Sequence, residues 1–166
     1  MFMRKKFYLY ADLKNPISEI IRMKARNFFT KEQKQTIVGA IKEAEKCTSG
    51  EICLHVEMHC HGDAMARAER IFSKLGMHKT ELRNGVLFYM AVGDRQFAIL
   101  GDSGINQKVP EDFWNNIKNR MTELFMQGLF TEGVVEGIRM AGEQLKVHFP
   151  YQVDDVNELS DEISFD

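Results

Sequence analysis

The chain has 166 residues, of which 44% are hydrophobic and 28% charged, with a formal net charge of −2. That is the size and composition of one globular domain with short appendages. It holds no apolar run near the roughly 18 residues of a membrane span, no low-complexity tract, and three cysteines (Cys47, Cys53, Cys60) that form no disulfide framework.

Charge is distributed unevenly between the ends. Residues 1–26 carry Arg4, Lys5, Lys6, Lys14, Arg22, Lys24 and Arg26 against Asp12 and Glu19, whereas residues 151–166 carry six acids and no base. Opposite charges at the two ends attract. The opening MFMRKKFYLYADLKNP has too short an apolar run for a signal peptide, so a cytoplasmic location is the default. The basic segment reads as a solvated arm, with no nucleic-acid or membrane partner expected.

In chain order, residues 14–28 read as a short helix on the weak stripe Ile17, Ile20, Ile21. Thr30 and Gln33 form a capping box for a second helix carrying Ile37, Val38, Ile41 and Ala44. Residues 51–59 alternate: Ile52, Leu54, Val56 and Met58 face one way, while Glu51, Cys53, His55, Glu57 and His59 make a polar face. Asp63 caps a helix with the stripe Ala64, Ala68, Ile71, Phe72, stopped at Gly76. Val86 to Val92 is a continuous apolar run expected of a strand covered on both faces. Gly93, Asp94 and Arg95 turn it back into Phe97 to Leu100, a hairpin. Pro110 suits the first turn of a helix with Phe113, Ile117, Met121, Leu124 and Phe125. Thr131 opens a last helix through Val134, Ile138, Ala141 and Leu145, ending before Pro150.

A strand, a crossover helix and a second strand pair in parallel. The hairpin makes the third strand antiparallel. Glu51, Asn84 and Asp102 then share one end of the sheet, and Asp94 lies at the other.

The succession FFTKEQKQTIVGAIKEAEKCTSGEI, then RNGVLFYMAVGDRQFAILGDSGI, VPEDFW and GLFTEGVVEGI resembles the TPM domain family, named after thylakoid-lumen, photosystem-repair and receptor-modulator proteins. The resemblance covers about Phe28 to Phe149 and is closest to the stand-alone, soluble bacterial kind. It implies a three-layer α/β/α sandwich with a small mixed sheet, divided as a basic extension (1–28), a TPM-like domain (29–150) and an acidic tail (151–166). Acidic loops in the family are associated with divalent metal, chiefly calcium, and a plant member is described as an acid phosphatase. Carried over by position, the strand-opening pair is Asn84 and Gly85, the loop glycines are Gly101 and Gly104, the hairpin acid is Asp94 and the helix-opening acid is Glu111. Where other members often have an aromatic between the two glycines, this chain has Asp102 and Ser103.

The expected metal residues are therefore Asp102, Glu111, Asn84, Glu51 and Asp94, with Asn106 nearby. These are hard oxygen donors of the type Ca²⁺ or Mg²⁺ takes. The same groups also have purely local uses: Asp102 can cap a turn, Glu111 can complement a helix N-terminus, and Glu51 can stand in solvent. HVEMHCHGD concentrates His55, His59, Cys60, His61 and Asp63, but His55 and His59 lie about 13 Å apart along a strand at roughly 3.3 Å per residue. Only His59, Cys60 and His61 remain together, which reads as a loop. GDSG around Ser103 lacks the all-β barrels of a serine protease. The expected function is a divalent-metal-binding or protein-interaction module with an unidentified protein partner; the alternative is a weak metal-dependent acid phosphatase. The acidic tail carries Val153, Val156, Leu159, Ile163 and Phe165, and is expected to dock on its own domain or a second copy.

Overall fold

The computed structural model describes residues 3–6 and 23–166. Of the helix expected over 14–28, residues 14–22 lie outside the described residues, and Ala25–Asn27 form a single 3₁₀ turn rather than a helix. The capping box is present: Gln33 N donates to Thr30 Oγ1 and Thr30 N to Gln33 Oε1, opening helix α1 (Lys31–Glu45). Strand β2 (Glu51–Glu57) follows, then α2 (Ala64–Lys74), whose cap Asp63 accepts from Met65 N and Ala66 N. The hairpin comprises β3 (Gly85–Ala91) and β4 (Gln96–Gly101). A short helix α3 (Ser103–Asn106) occupies what reads as loop, because Asp102 accepts from Ser103 N and starts a turn at once. Helix α4 (Phe113–Met126) begins three residues after Pro110, which sits in a preceding turn where Phe113 N donates to the Pro110 carbonyl. Helix α5 (Phe130–His148) completes the set.

The sheet adds two short strands, β1 (Met3–Lys6) and β5 (Ser164–Phe165), in the order β1-β4-β3-β2-β5. β2 runs parallel to β3 with Glu51 opposite Gly85, and β3 runs antiparallel to β4 with Val86 opposite Gly101. The expected end-sharing of Glu51, Asn84 and Asp102 follows from this register.

On one face Leu54, Phe88, Met90 and Ile99 pack with Ile37 and Ile41 of α1, Trp114 and Phe125 of α4, and Ile138 and Leu145 of α5. On the other, Leu87, Tyr89, Ala98 and Leu100 pack with Ala68, Ile71 and Phe72 of α2. The result is an α/β/α sandwich around a mixed sheet. Glycines permit its closest approaches: a Cβ on Gly101 would meet Trp114 Cζ2 at 2.3 Å.

One expectation fails. The polar face of β2 is not solvent-facing: all seven residues of the strand are buried. Helix α2 covers that side, and the tail runs along the strand's edge, with β5 pairing in parallel so that His55 lies opposite Ser164 and Val56 opposite Phe165. The acidic tail is therefore seated on its own domain. Phe165 and Ile163 reach the core beneath α1, and Leu159 reaches the core beneath α2.

Candidate functional site

Buried polar residues in so small a protein call for partners, and tracing them locates the chemistry. Glu57 accepts from Arg67 Nε (2.9 Å) and Nη2 (2.7 Å) and from the Tyr89 hydroxyl. Arg67 also donates to Asp166 at 3.0 Å, which Lys74 holds from the other side at 2.9 Å. Ligand atoms of His55, Glu57 and Asp166 all lie within 4.8 Å of one another, a spacing a metal ion can use. Their carboxylates, however, are already engaged by Arg67 and Lys74. The arrangement is an ion-pair network that ties the tail to α2.

The predicted residues divide. Asp102 is buried, and both its oxygens take Arg83: Nε at 2.6 Å and Nη2 at 2.7 Å. Arg83 reaches it from a left-handed backbone, φ 52°. Such a bidentate fork satisfies the carboxylate geometrically and electrostatically. Asn106 spans Gly101 and Trp114, donating to the Gly101 carbonyl at 2.7 Å and accepting from the indole N–H at 3.0 Å. Glu111 is exposed beyond it. Asp94 lies at the opposite end of the sheet, with His59 Nδ1 at 2.7 Å and the Cys60 N–H at 2.7 Å. Asn84 is buried, with Nδ2 3.4 Å from Ser49 Oγ and Oδ1 without a partner.

Glu51 differs from the others. It is 4% exposed, its Oε1 accepts from Glu158 N of the tail at 2.8 Å, and its Oε2 is buried with no partner among the described residues. Beside it, Glu45 at the end of α1 accepts from Ile52 N at 2.8 Å through Oε1. The turn Lys46 to Gly50 folds the helix end back over the strand start, stapled by Ser49 N to the Phe149 carbonyl and by the Thr48 hydroxyl to the same oxygen. Asp161, Asp155 and Asn157 of the tail complete a cleft of about 270 Å³. Asn157 Nδ2 donates to Asp161 at 2.6 Å, and Asp155 Oδ2 is shielded without a partner. Of the lysines on the wall, Lys46 is taken by Glu43.

Burial pushes the Glu45 carboxyl from its ordinary 4.5 up to about 9, with the hydrogen bond that the protonated Glu45 donates to Asp161 and the charge of Glu51 adding to the rise against the Ile52 N–H. Burial likewise lifts Glu51 to about 7, helped by the charges of Glu158 and Asp161 and opposed by tail N–H groups. Acids packed together without a cation neutralise themselves by holding protons. Glu45, Asp155 and Asp161 were missed in the sequence because Glu45 reads as the polar side of a helix and the tail acids as a solvated run. The available signal was the spacing of Glu45 and Glu51 across Thr-Ser-Gly, which returns one acid onto the other.

Among the described residues no helix is long and apolar enough to cross a membrane. Residues 23–144 match the family model described as TPM domain. The chain is similar to the NMR structure of BA42 protein from the psychrophilic bacterium Bizionia argentinensis, with 45% identity and a TM-score of 0.80 over 86% of this chain and 99% of that one. No curated protein matches it. A family match spanning most of the chain, together with a likeness that extends through most of its length, shows that the chain belongs to the TPM domain family.

Proposed function

We propose that the chain is a divalent-cation-binding module whose ion is taken up in the cleft lined by Glu45, Glu51 and Asp161. The observation that carries this reading is Glu51 Oε2, a carboxylate oxygen buried without a partner among the described residues, on the wall of a cleft lined by other acids and by Lys42 and Lys46. Hard oxygen donors from several chain segments are the ligand set of Ca²⁺, with Mg²⁺ the stricter alternative in geometry. A bound cation would take the place of the protons that the cluster otherwise retains, so binding strengthens as pH rises through 7 to 9. Asp102, Glu111 and Asp94 have no part in this assignment, and Asn84 stands behind it through Ser49.

An ion bound only by the folded state stabilises by RT ln(1 + [L]/Kd), about 2.7 kcal/mol at a hundredfold excess over Kd. Thermal melts at pH 8 with millimolar Ca²⁺ against chelator are expected to show a rise that Glu51→Gln removes and Asp102→Ala preserves. Glutamine retains the acceptor for Glu158 N, so loss of the rise in a folded variant reports the charge. No shift with Ca²⁺, Mg²⁺ or Mn²⁺ would overturn the assignment.

One observation favours the acid-phosphatase alternative: a carboxyl held protonated beside one that ionises near neutrality is an acid–base pair. Metal-dependent hydrolysis of a phosphomonoester, abolished in Glu45→Gln, would establish it. Absence of turnover in the presence of a bound ion leaves the non-catalytic module.

A further inference from the structure

The other end of the sheet holds a second cleft, formed by His59, Cys60, His61, Gly62, Asp94 and Gln96, with a volume of about 510 Å³. Its chemistry is unlike that of the acidic cleft, because its outward groups are imidazoles. His59 leaves the end of β2 with its side chain 54% exposed, and the Asp94 carboxylate holds Nδ1 at 2.7 Å. An ionised carboxylate can only accept, so Nδ1 carries the proton and the Nε2 lone pair points away from Asp94. This carboxylate–imidazole pairing is how proteins orient a histidine towards a metal.

Two further features converge on the same point. His61 has a left-handed backbone, φ 44°, followed by Gly62 at φ 127°, and this tight reversal carries its ring back over the loop. The ring centroids of His59 and His61 stand 6.0 Å apart. Two imidazoles sharing one ion at about 2.0–2.1 Å hold their centroids about 5–6 Å apart, the separation that His59 and His61 show. Gln96, only 9% exposed, lies on the wall of the same cleft with its Oε1 buried and without a partner among the described residues. The hairpin supports the arrangement closely: a Cβ on Gly93 would meet the Met58 carbonyl at 2.7 Å and His59 Cε1 at 2.9 Å.

We propose that His59 and His61 form the two-imidazole core of a transition-metal site, with Gln96 Oε1 as an oxygen donor and Asp94 as the positioning residue behind His59. Nitrogen donors select Zn²⁺, Cu²⁺ or Ni²⁺ over Ca²⁺ and Mg²⁺. The two ends of the sheet then take different classes of ion, and this site stands or falls independently of the acidic cleft.

Zn²⁺ titration of the full chain, followed by calorimetry and by histidine ring ¹⁵N resonances, tests it. The expected result is a single site that shifts the Nε2 resonance of His59 and a ring nitrogen of His61, unchanged by Ca²⁺. His59→Ala and His61→Ala should each weaken Zn²⁺ at least tenfold. Asp94→Asn should weaken it severalfold while leaving both imidazoles as ligands, and Glu51→Gln should leave it unchanged. All four positions are read in proteins first shown by their melts to be folded. Zn²⁺ affinity unchanged in His61→Ala would overturn the proposal in favour of a lone surface histidine. Affinity lost only in Glu51→Gln would overturn it by moving the ion to the other cleft.

Discussion

Where β2 begins, Glu45 and Glu51 are packed under a tail that brings more acids, and burial raises both carboxyls; where β2 ends, Asp94 is partly exposed and two N–H donors hold it low. The same kind of group behaves oppositely at the two ends because burial dominates at one and hydrogen-bond donors outweigh it at the other. Asp102 shows that the first end is not uniformly short of cations, since Arg83 satisfies it fully a few residues away. The orphaned charge is confined to the cleft between α1, β2 and the tail, and that confinement makes it a candidate for an external ion.

The contrast depends on the tail, so removing it should have the largest effect. Deleting residues 158–166 takes away the Glu158 N–H on Glu51, strips Asp166 from Arg67 and Lys74, and uncovers the β2 edge. The partly exposed Asp166 pairs add little, and losing the edge strand with its partly buried Ile163 and Phe165 contacts costs about 3–5 kcal/mol. In a chain of this size that is a fall in Tm on the order of 10 °C. An unchanged melt would show that the tail seals neither cleft nor edge. The next effect is that of Asp102→Ala, which removes the cap of α3 and leaves Arg83 without its partner. A lost capping side chain costs about 1–2 kcal/mol, a drop of roughly 3–8 °C. Any Ca²⁺-dependent rise should survive intact; its loss would move the ion to the Asp102 loop.

Much of this frame was legible in the sequence. The capping box at Thr30 and Gln33, the Asp63 cap, the Gly-Asp-Arg hairpin turn and the helix stripes from Ile37 onward are local signals, and each stands where its pattern placed it, unlike the helix expected over 14–28. The rim shared by Glu51, Asn84 and Asp102 followed from topology alone. What escaped was non-local. β1 and β5 are too short to show a period of two, and the burial of His55 and Glu57 depends on Arg67, Tyr89 and a tail more than a hundred residues away. Arg83 was read only as the neighbour of Asn84 and Gly85, although its left-handed backbone aims it at Asp102. A sequence displays which acids are present but not which have a cation beside them, and that is the property separating Asp102 from Glu51.

The raised carboxyls predict a slope of stability with pH. Glu45 and Glu51 bind protons more tightly folded than unfolded, so between their ordinary 4.5 and about 7 for Glu51, and on to about 9 for Glu45, the folded state holds more protons. Their contribution is fully present below 4.5 and is lost as pH rises through 7 and then 9. In chelator, wild-type Tm should therefore fall from pH 6 to 9 by more than that of Glu45→Gln, and the variant should be the more stable of the two at pH 9. Saturating Ca²⁺ should flatten the wild-type slope. Parallel pH profiles would break the comparison, because they would mean that the cleft is open to water.

The smallest effect belongs to Asp94→Asn. The side chain is 28% exposed, and an asparagine still offers an oxygen to the Cys60 N–H or to His59. Exchange of one charge-assisted hydrogen bond for a neutral one near the surface costs about 0.5–1 kcal/mol, a fall in Tm of roughly 1–4 °C. Its pH dependence has the opposite sign to that of the acidic cleft. A depressed carboxyl contributes stability that is present above its ordinary value of 3.8 and lost as pH falls through the lower folded value. From pH 5 to 9 the ionisation of Asp94 itself should accordingly add nothing to the gap between wild type and Asp94→Asn, while the gap for Glu45→Gln changes sign across the same series. Melts of the two variants in one buffer series check both slopes, and a gap for Asp94→Asn that reversed sign towards high pH, as that of Glu45→Gln does, would mean that Asp94 is held high, like the acids at the other end.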